Sequence, residues 1–250
     1  MDSIPALGLL FLLGLASGFI NVMAGGGSTL TLPALIFLGF DSALANGTNR
    51  VGVFVQSLVG VASFRRQNVH EFGASLKLAM FTLPGAIAGG WAAVTIADAL
   101  FQRLLALVLI GITLTLLLPR GSRPGAAGPP AARRRWALYL SLVGIGFYGG
   151  FLQVGVGFLL MAALRHLHGL DLIRVNMHKV FIVLVFTLPT LLIFIASGNV
   201  RWGPSLVLAA GNALGAWTSA IVAVRRGERA IRAVLVIVLV IMALRLLALP

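Results

Sequence analysis

The chain has 250 residues, 59% of them hydrophobic and 10% charged, with a mean hydropathy of +1.03. A soluble domain carries about a quarter charged residues, so this composition excludes one and indicates an all-α polytopic membrane protein with no length left for a soluble catalytic domain. The formal net charge of +13, from 19 Lys+Arg against 6 Asp+Glu, would point to nucleic acid in a soluble protein; here most basic residues fall in short loops, where they set orientation in the bilayer, and no nucleic-acid partner is expected. The lack of cysteine excludes disulfides, thiolate metal sites and cysteine nucleophiles.

The first apolar run has no basic leader and carries Asp2, so it reads as a retained membrane segment and not as a signal peptide. It ends in the stretch that organises the rest, Asn21 to Arg50 (NVMAGGGSTLTLPALIFLGFDSALANGTNR). Ala24-Gly25-Gly26-Gly27 break the first helix, and Ser28 and Thr29 are expected to cap a second one. That helix has about a dozen residues, too few to cross a ~30 Å hydrocarbon core. A polar cluster, Asn46-Gly47-Thr48-Asn49-Arg50, then opens the third run. Broken backbone and a buried arginine survive in lipid only against protein or a water-lined cavity, so a polar ligand is expected here.

Ten apolar runs follow one another, at about 4–23, 28–40, 44–64, 73–96, 100–118, 136–153, 155–167, 173–197, 203–224 and 229–248. Residues 120–135, rich in Pro, Gly, Ala and Arg, read as a cytoplasmic linker between membrane repeats 1–119 and 136–250. Shifted by about 130 residues, the halves align. Gly25 and Gly27 fall on Gly155 and Gly157, Asp41 on Asp171, and Asn49-Arg50-Val51 on His178-Lys179-Val180 with one residue of slippage. Five runs per half would invert the second copy. The loops agree, because equivalent ones carry opposite charge bias: Asp41 against Arg165–Arg174, and Asp98 against Arg225–Arg229. Inverted repeats with paired short, Gly-interrupted helices near the midplane indicate a transporter, and free N–H groups at half-helix N-termini favour an anion.

The order GFINVMAGGGSTLTLPAL, then ANGTN, then the weaker second copy GFYGGFLQVGVGFLLMAAL, resembles the TauE/SafE family over nearly the full length. The resemblance implies a multi-spanning inner-membrane permease exporting sulfite, sulfoacetate or a related small sulfur-containing anion. On that basis Gly25, Gly26, Gly27 and Ser28 form the motif, and Gly47, Thr48 and Asn49 the Gly-Thr-Asn element. Gly155 and Gly157 persist in the second half, where Gln153 and Val156 interrupt the run.

Arg50 and Lys179 are candidates to pair with substrate oxygens; the plainer readings are a snorkelling arginine and a juxtamembrane charge. Asn21, Ser28, Thr29, Thr48, Asn49 and Gln153 are uncharged candidates for the same cavity, or interhelical glue. His178 is the one group near the site that titrates close to neutral pH. Gly85, Gly89, Gly90 and the Gly211–Gly215 stretch with Asn212 read as helix packing. His166 and His168 lack the further ligands of a zinc site, so no metal or other cofactor is expected. No carboxylate sits deep in an apolar run and no GxxxxGK[ST] element occurs, which argues against a sodium cage and ATP hydrolysis. The expected partners are a small anion and the lipid bilayer. The rival readings are an intramembrane enzyme, with His178 approaching Ser28 in space, and a scaffold subunit without transport activity. The sequence does not set the oligomeric state.

Overall fold

A computed structural model describes residues 4–117 and 132–247. Among these the chain is helical without strands: α1 (Ile4–Met23), α2 (Ser28–Phe37), α3 (Ser42–Arg66), α4 (Phe72–Thr95), α5 (Asp98–Leu117), α6 (Ala132–Phe151), α7 (Val156–His166), α8 (Leu172–Ala196) and α9 (Trp202–Leu247). Helix is the expected outcome for apolar runs in lipid, because it satisfies each segment's backbone internally. The last two apolar runs lie in α9, which breaks at Gly227 (φ 66°, ψ −161°). Of the expected linker, residues 132–135 belong to α6 and the remainder lies outside the described residues.

Among the described residues three stretches suffice, by length and composition, to cross a membrane: Phe72–Thr95, Leu172–Ala196 and Trp202–Ile237. Helices α2 and α7, with 10 and 11 residues, are about 15 Å long, half the hydrocarbon thickness. The sequence places the cluster Asn46–Arg50 at the opening of its helix; instead α3 starts at Ser42 behind Asp41, so the cluster lies inside it. The equivalent aspartate does cap α8: the Asp171 carboxylate accepts from the amides of Ile173 (3.0 Å) and Arg174 (2.9 Å).

The packing partners do not follow the chain's midpoint. Helix α9 lies along α1 and α3, whereas α4 lies along α6 and α8, and α3 meets α8 between them. Glycines four residues apart make both crossings. Gly14 and Gly18 of α1 press on the backbone of Leu208 and Asn212, while Gly211 and Gly215 of α9 press on Phe11 and Leu15. In the other pair, Gly85 and Gly89 of α4 meet Val143 and Phe147, while Gly146 and Gly150 of α6 meet Thr82 and Ala86. Close approach is what holds helices together where lipid removes the hydrophobic drive, so these glycines serve packing, as their spacing indicates.

Candidate functional site

The two breaks meet. Helix α1 ends with the amides of Ala24 and Gly25 both bonded to Ile20 O (2.7 and 3.1 Å), and bonding resumes where Thr29 N reaches Gly26 O (3.1 Å). Between them Gly25 takes φ +91°, a conformation that costs only glycine little. In the second break Gln153 (φ 60°) and Gly155 (φ 68°) are left-handed, and the Tyr148 hydroxyl holds the turn by donating to Val154 O. Gly25 and Gly157 lie backbone to backbone: a side-chain carbon on Gly25 would sit 2.6 Å from the Cα of Gly157. Gly26 faces the ring of Phe158, and Gly27 faces Ser17 and Asn21 of α1. The expected caps are absent. Gly27 is the N-cap of α2 without a side-chain bond, and the Thr29 hydroxyl donates back to Gly26 O (2.6 Å), a bond within the first turn. Ser28 is buried in that turn.

Each buried cation turns to the C-terminal end of a broken helix from the other half of the chain. Lys179 on α8 donates from Nζ to Val22 O at the end of α1 (2.8 Å) and to Asn176 Oδ1 (2.7 Å), and Asn176 Nδ2 donates to Met23 O (3.1 Å). Arg50 on α3 donates from Nη2 to Gly150 O at the end of α6 and from Nη1 to Thr190 Oγ1 (3.1 Å), while Asn46 Nδ2 donates to Phe151 O (2.7 Å). The Arg50 guanidinium also lies over the Phe194 ring, 4.7 Å from its centroid. A cation favours a helix C-terminus because the last carbonyls and the macrodipole present negative charge there. Among the described residues no carboxylate pairs with either cation; the ion pairs involve Glu71, Asp171 and Glu228 at helix ends.

A small cavity opens beside the crossing of the breaks. Asn21 and Val22 of α1, Gln56 and Ser57 of α3, Gly157 of α7 and Lys179 of α8 line it, and it has room for about one water molecule. Lys179 is its cation. Arg50 does not line it and has no exposed surface, so direct contact with a ligand in this cavity is not its arrangement here. Gln56 Oε1 lacks a hydrogen-bond partner, as do Gln153 Oε1, Asn49 Nδ2 and both side-chain polar atoms of Asn212, which packs over Gly52. Unpartnered buried groups at this density call for a ligand, water or rearrangement.

The other expected site residues are spread around this centre. Asn49 accepts from the Thr31 hydroxyl (2.6 Å), Thr48 accepts from the amide of Arg201 (3.1 Å), and Gln153 donates to Thr187 Oγ1 (3.2 Å). His178 pairs with other residues than Ser28: its Nδ1 lies 2.8 Å from Ser75 Oγ and its Nε2 lies 3.6 Å from Glu71. Serine, histidine and glutamate in a row have the composition of a hydrolytic triad, but Ser75 has no exposed surface and meets Nδ1, whereas the serine-protease arrangement uses Nε2. His168, half-buried in the turn before α8, is held below the ordinary imidazole range by burial, and Glu71 pulls it the other way. Asn176 is the site residue that the sequence reading missed, although the shift of about 130 residues carries Asn46 onto it.

The arginine's place predicts a structural effect. Arg50→Met leaves one or two buried carbonyls without donors, at about 2–4 kcal/mol, and Arg50→Lys recovers part of this because an ammonium reaches one of them. Thermal unfolding of the purified protein in detergent checks the order wild type, Arg50→Lys, Arg50→Met.

The family model described as sulfite exporter TauE/SafE matches residues 10–246. The chain is 31% identical over 245 residues to the "Probable membrane transporter protein YfcA" of Escherichia coli K12, covering 96% of this chain and 89% of that protein. It is 29% identical to the "Probable membrane transporter protein ORF9" of a Sinorhizobium species (98% and 93% covered) and 28% identical to a "Probable membrane transporter protein" of Haemophilus influenzae (94% and 91%). No solved structure matches. With glycine-broken half-helices crossing beside two carboxylate-free cations, and a family match running through both breaks, the chain belongs to the sulfite exporter TauE/SafE family.

Proposed function

We propose that the protein is a membrane transporter that carries a small anion, sulfite or an organosulfonate such as sulfoacetate, outward across the inner membrane by alternating access of two inverted repeats. One observation carries this reading: Lys179 faces the cavity at the crossing of the two breaks, and its acceptors are a carbonyl, an amide and the Met161 thioether, not a carboxylate. Its charge is therefore left for a ligand to neutralise. The half-helix ends beside the cavity and its lining, which holds a lysine and no carboxylate, favour an anion over a cation.

The repeat reading is supported by the pairing of Lys179 and Asn176 with α1, matched by Arg50 and Asn46 with α6, and by the matched glycine crossings of α1 with α9 and α6 with α4. In this conformation the cavity is too small for a sulfur oxyanion, which has at least four heavy atoms. The reading therefore takes it as a closed state, and the surfaces that open must separate without uncapping α1 and α6.

Flux into proteoliposomes tests the proposal, with labelled sulfite and sulfoacetate beside phosphate and an uncharged sugar. Saturable flux of a sulfur anion, with no sugar flux, is the expected result. Inserted, folded protein that moves none of the anions would overturn it.

A further inference from the structure

We infer that the groove between α3, α4 and α9 binds the phosphate headgroup of an anionic phospholipid, with the start of an acyl chain along α3. The groove encloses about 750 Å³ and has two distinct ends. One carries Arg65, Arg66 and Asn68; the other is walled by Leu58 and Val61 of α3, with Trp217 of α9 alongside. Both arginines are exposed, and among the described residues neither pairs with a carboxylate.

The Arg66 guanidinium lies over the Trp217 ring, 5.4 Å from its centroid. A guanidinium held over a ring face keeps N–H groups for other acceptors, and its fork matches two phosphate oxygens. The backbone beneath is fixed, since Asn68 N donates to Arg65 O (3.0 Å) and Trp217 O accepts from the Ser63 hydroxyl (3.2 Å).

The plainer account is that Arg65 and Arg66 complement the C-terminal dipole of α3 and orient the protein. That explains two charges but not the groove below them. Leu58 and Val61 stand seven and four residues before Arg65, on the same helix face. Leu58 therefore lies about 10 Å further along α3, and half of its surface is exposed (51%). A free phosphate has no use for that wall, whereas a phospholipid covers both ends at once. A basic side chain at a membrane surface attracts anionic headgroups, at about 1 kcal/mol each.

The test uses full-length protein with Trp91, Trp136 and Trp202 replaced by phenylalanine, leaving Trp217 as the only tryptophan, in vesicles of one base composition. Brominated phosphatidylglycerol is expected to quench Trp217 more strongly than brominated phosphatidylcholine. Arg65→Gln with Arg66→Gln is expected to weaken the apparent affinity for phosphatidylglycerol about 30-fold, the worth of two interfacial cations. Should that protein not fold, Asn68→Asp sets a carboxylate at the headgroup end and is expected to remove the same preference. Equal quenching by the two lipids, or a preference that survives the substitution, would overturn the inference. So would displacement of the lipid by inorganic phosphate, because it would assign the site to the free ion.

Discussion

Gly25→Ala is expected to abolish anion flux, while Gly39→Ala leaves most of it. Both glycines are left-handed, at φ +91° and +88°, so alanine pays the same backbone strain at either, about 1–2 kcal/mol. Their surroundings differ. Nothing lies within 4 Å of the carbon that alanine would add at Gly39, whereas at Gly25 that carbon meets the backbone of Gly157 and Phe158. Backbone cannot rotate aside as a side chain can, so α2 and α7 must move apart. Overpacking of this kind adds about 1–3 kcal/mol. Together these are a large share of a typical stability of about 5–15 kcal/mol. Any protein that folds by parting the helices has lost the crossing that shapes the cavity. The thermal midpoint and the flux per inserted protein separate the two effects. Flux that survives in Gly25→Ala at the Gly39→Ala level would mean that this contact opens during transport, and that the breaks are a gate and not a fixed centre.

Much of the architecture was legible in the sequence because lipid narrows the choices. Apolar runs must be helices, so their limits came within a few residues, and the shortness of α2 and α7 followed from the glycines before them. The shift that set Arg50 against Lys179 also identified two residues in the same local setting, each beside an asparagine bonded to the end of a broken helix. What the cations bond to was not legible. Arg50 and Gly150 are far apart in the chain, as are Lys179 and Val22, and periodicity says nothing about which distant carbonyl meets a side chain. The pattern of four-residue glycine spacings marked close crossings, but not that α4 would pack with α6 and α9 with α1. Ser28 and Thr29 misled for a local reason. A hydroxyl next to a break can bond forward as a cap or back to a carbonyl, and Thr29 bonds back.

Lys179 and Arg50 align, with one residue of slippage, under the shift of about 130 residues, but they differ in their access to the cavity, so their substitutions should separate. Lys179→Met is expected to lower kcat/KM for sulfite flux about 100-fold or more, since losing a charged hydrogen bond to a buried anion costs about 2–5 kcal/mol. It also uncaps Val22 O and costs stability, so flux must be read per folded protein. Asn176→Asp provides the cleaner measurement. Asn176 Oδ1 already accepts from Lys179 Nζ at 2.7 Å, so a carboxylate in its place keeps the volume and the bond and neutralises the ammonium. It gives up the donor to Met23 O and sets a carboxylate oxygen against that buried carbonyl, at about 1–3 kcal/mol, so its flux is read per folded protein too. If Lys179 supplies charge to the anion, Asn176→Asp and Lys179→Met should lose flux alike, although one retains the lysine and the other removes it. If Lys179 only caps α1, Asn176→Asp should transport nearly as wild type does, because a carboxylate holds the ammonium in that place at least as firmly as an amide. The pair of variants thus distinguishes a lysine that secures a helix end from one whose charge the anion uses.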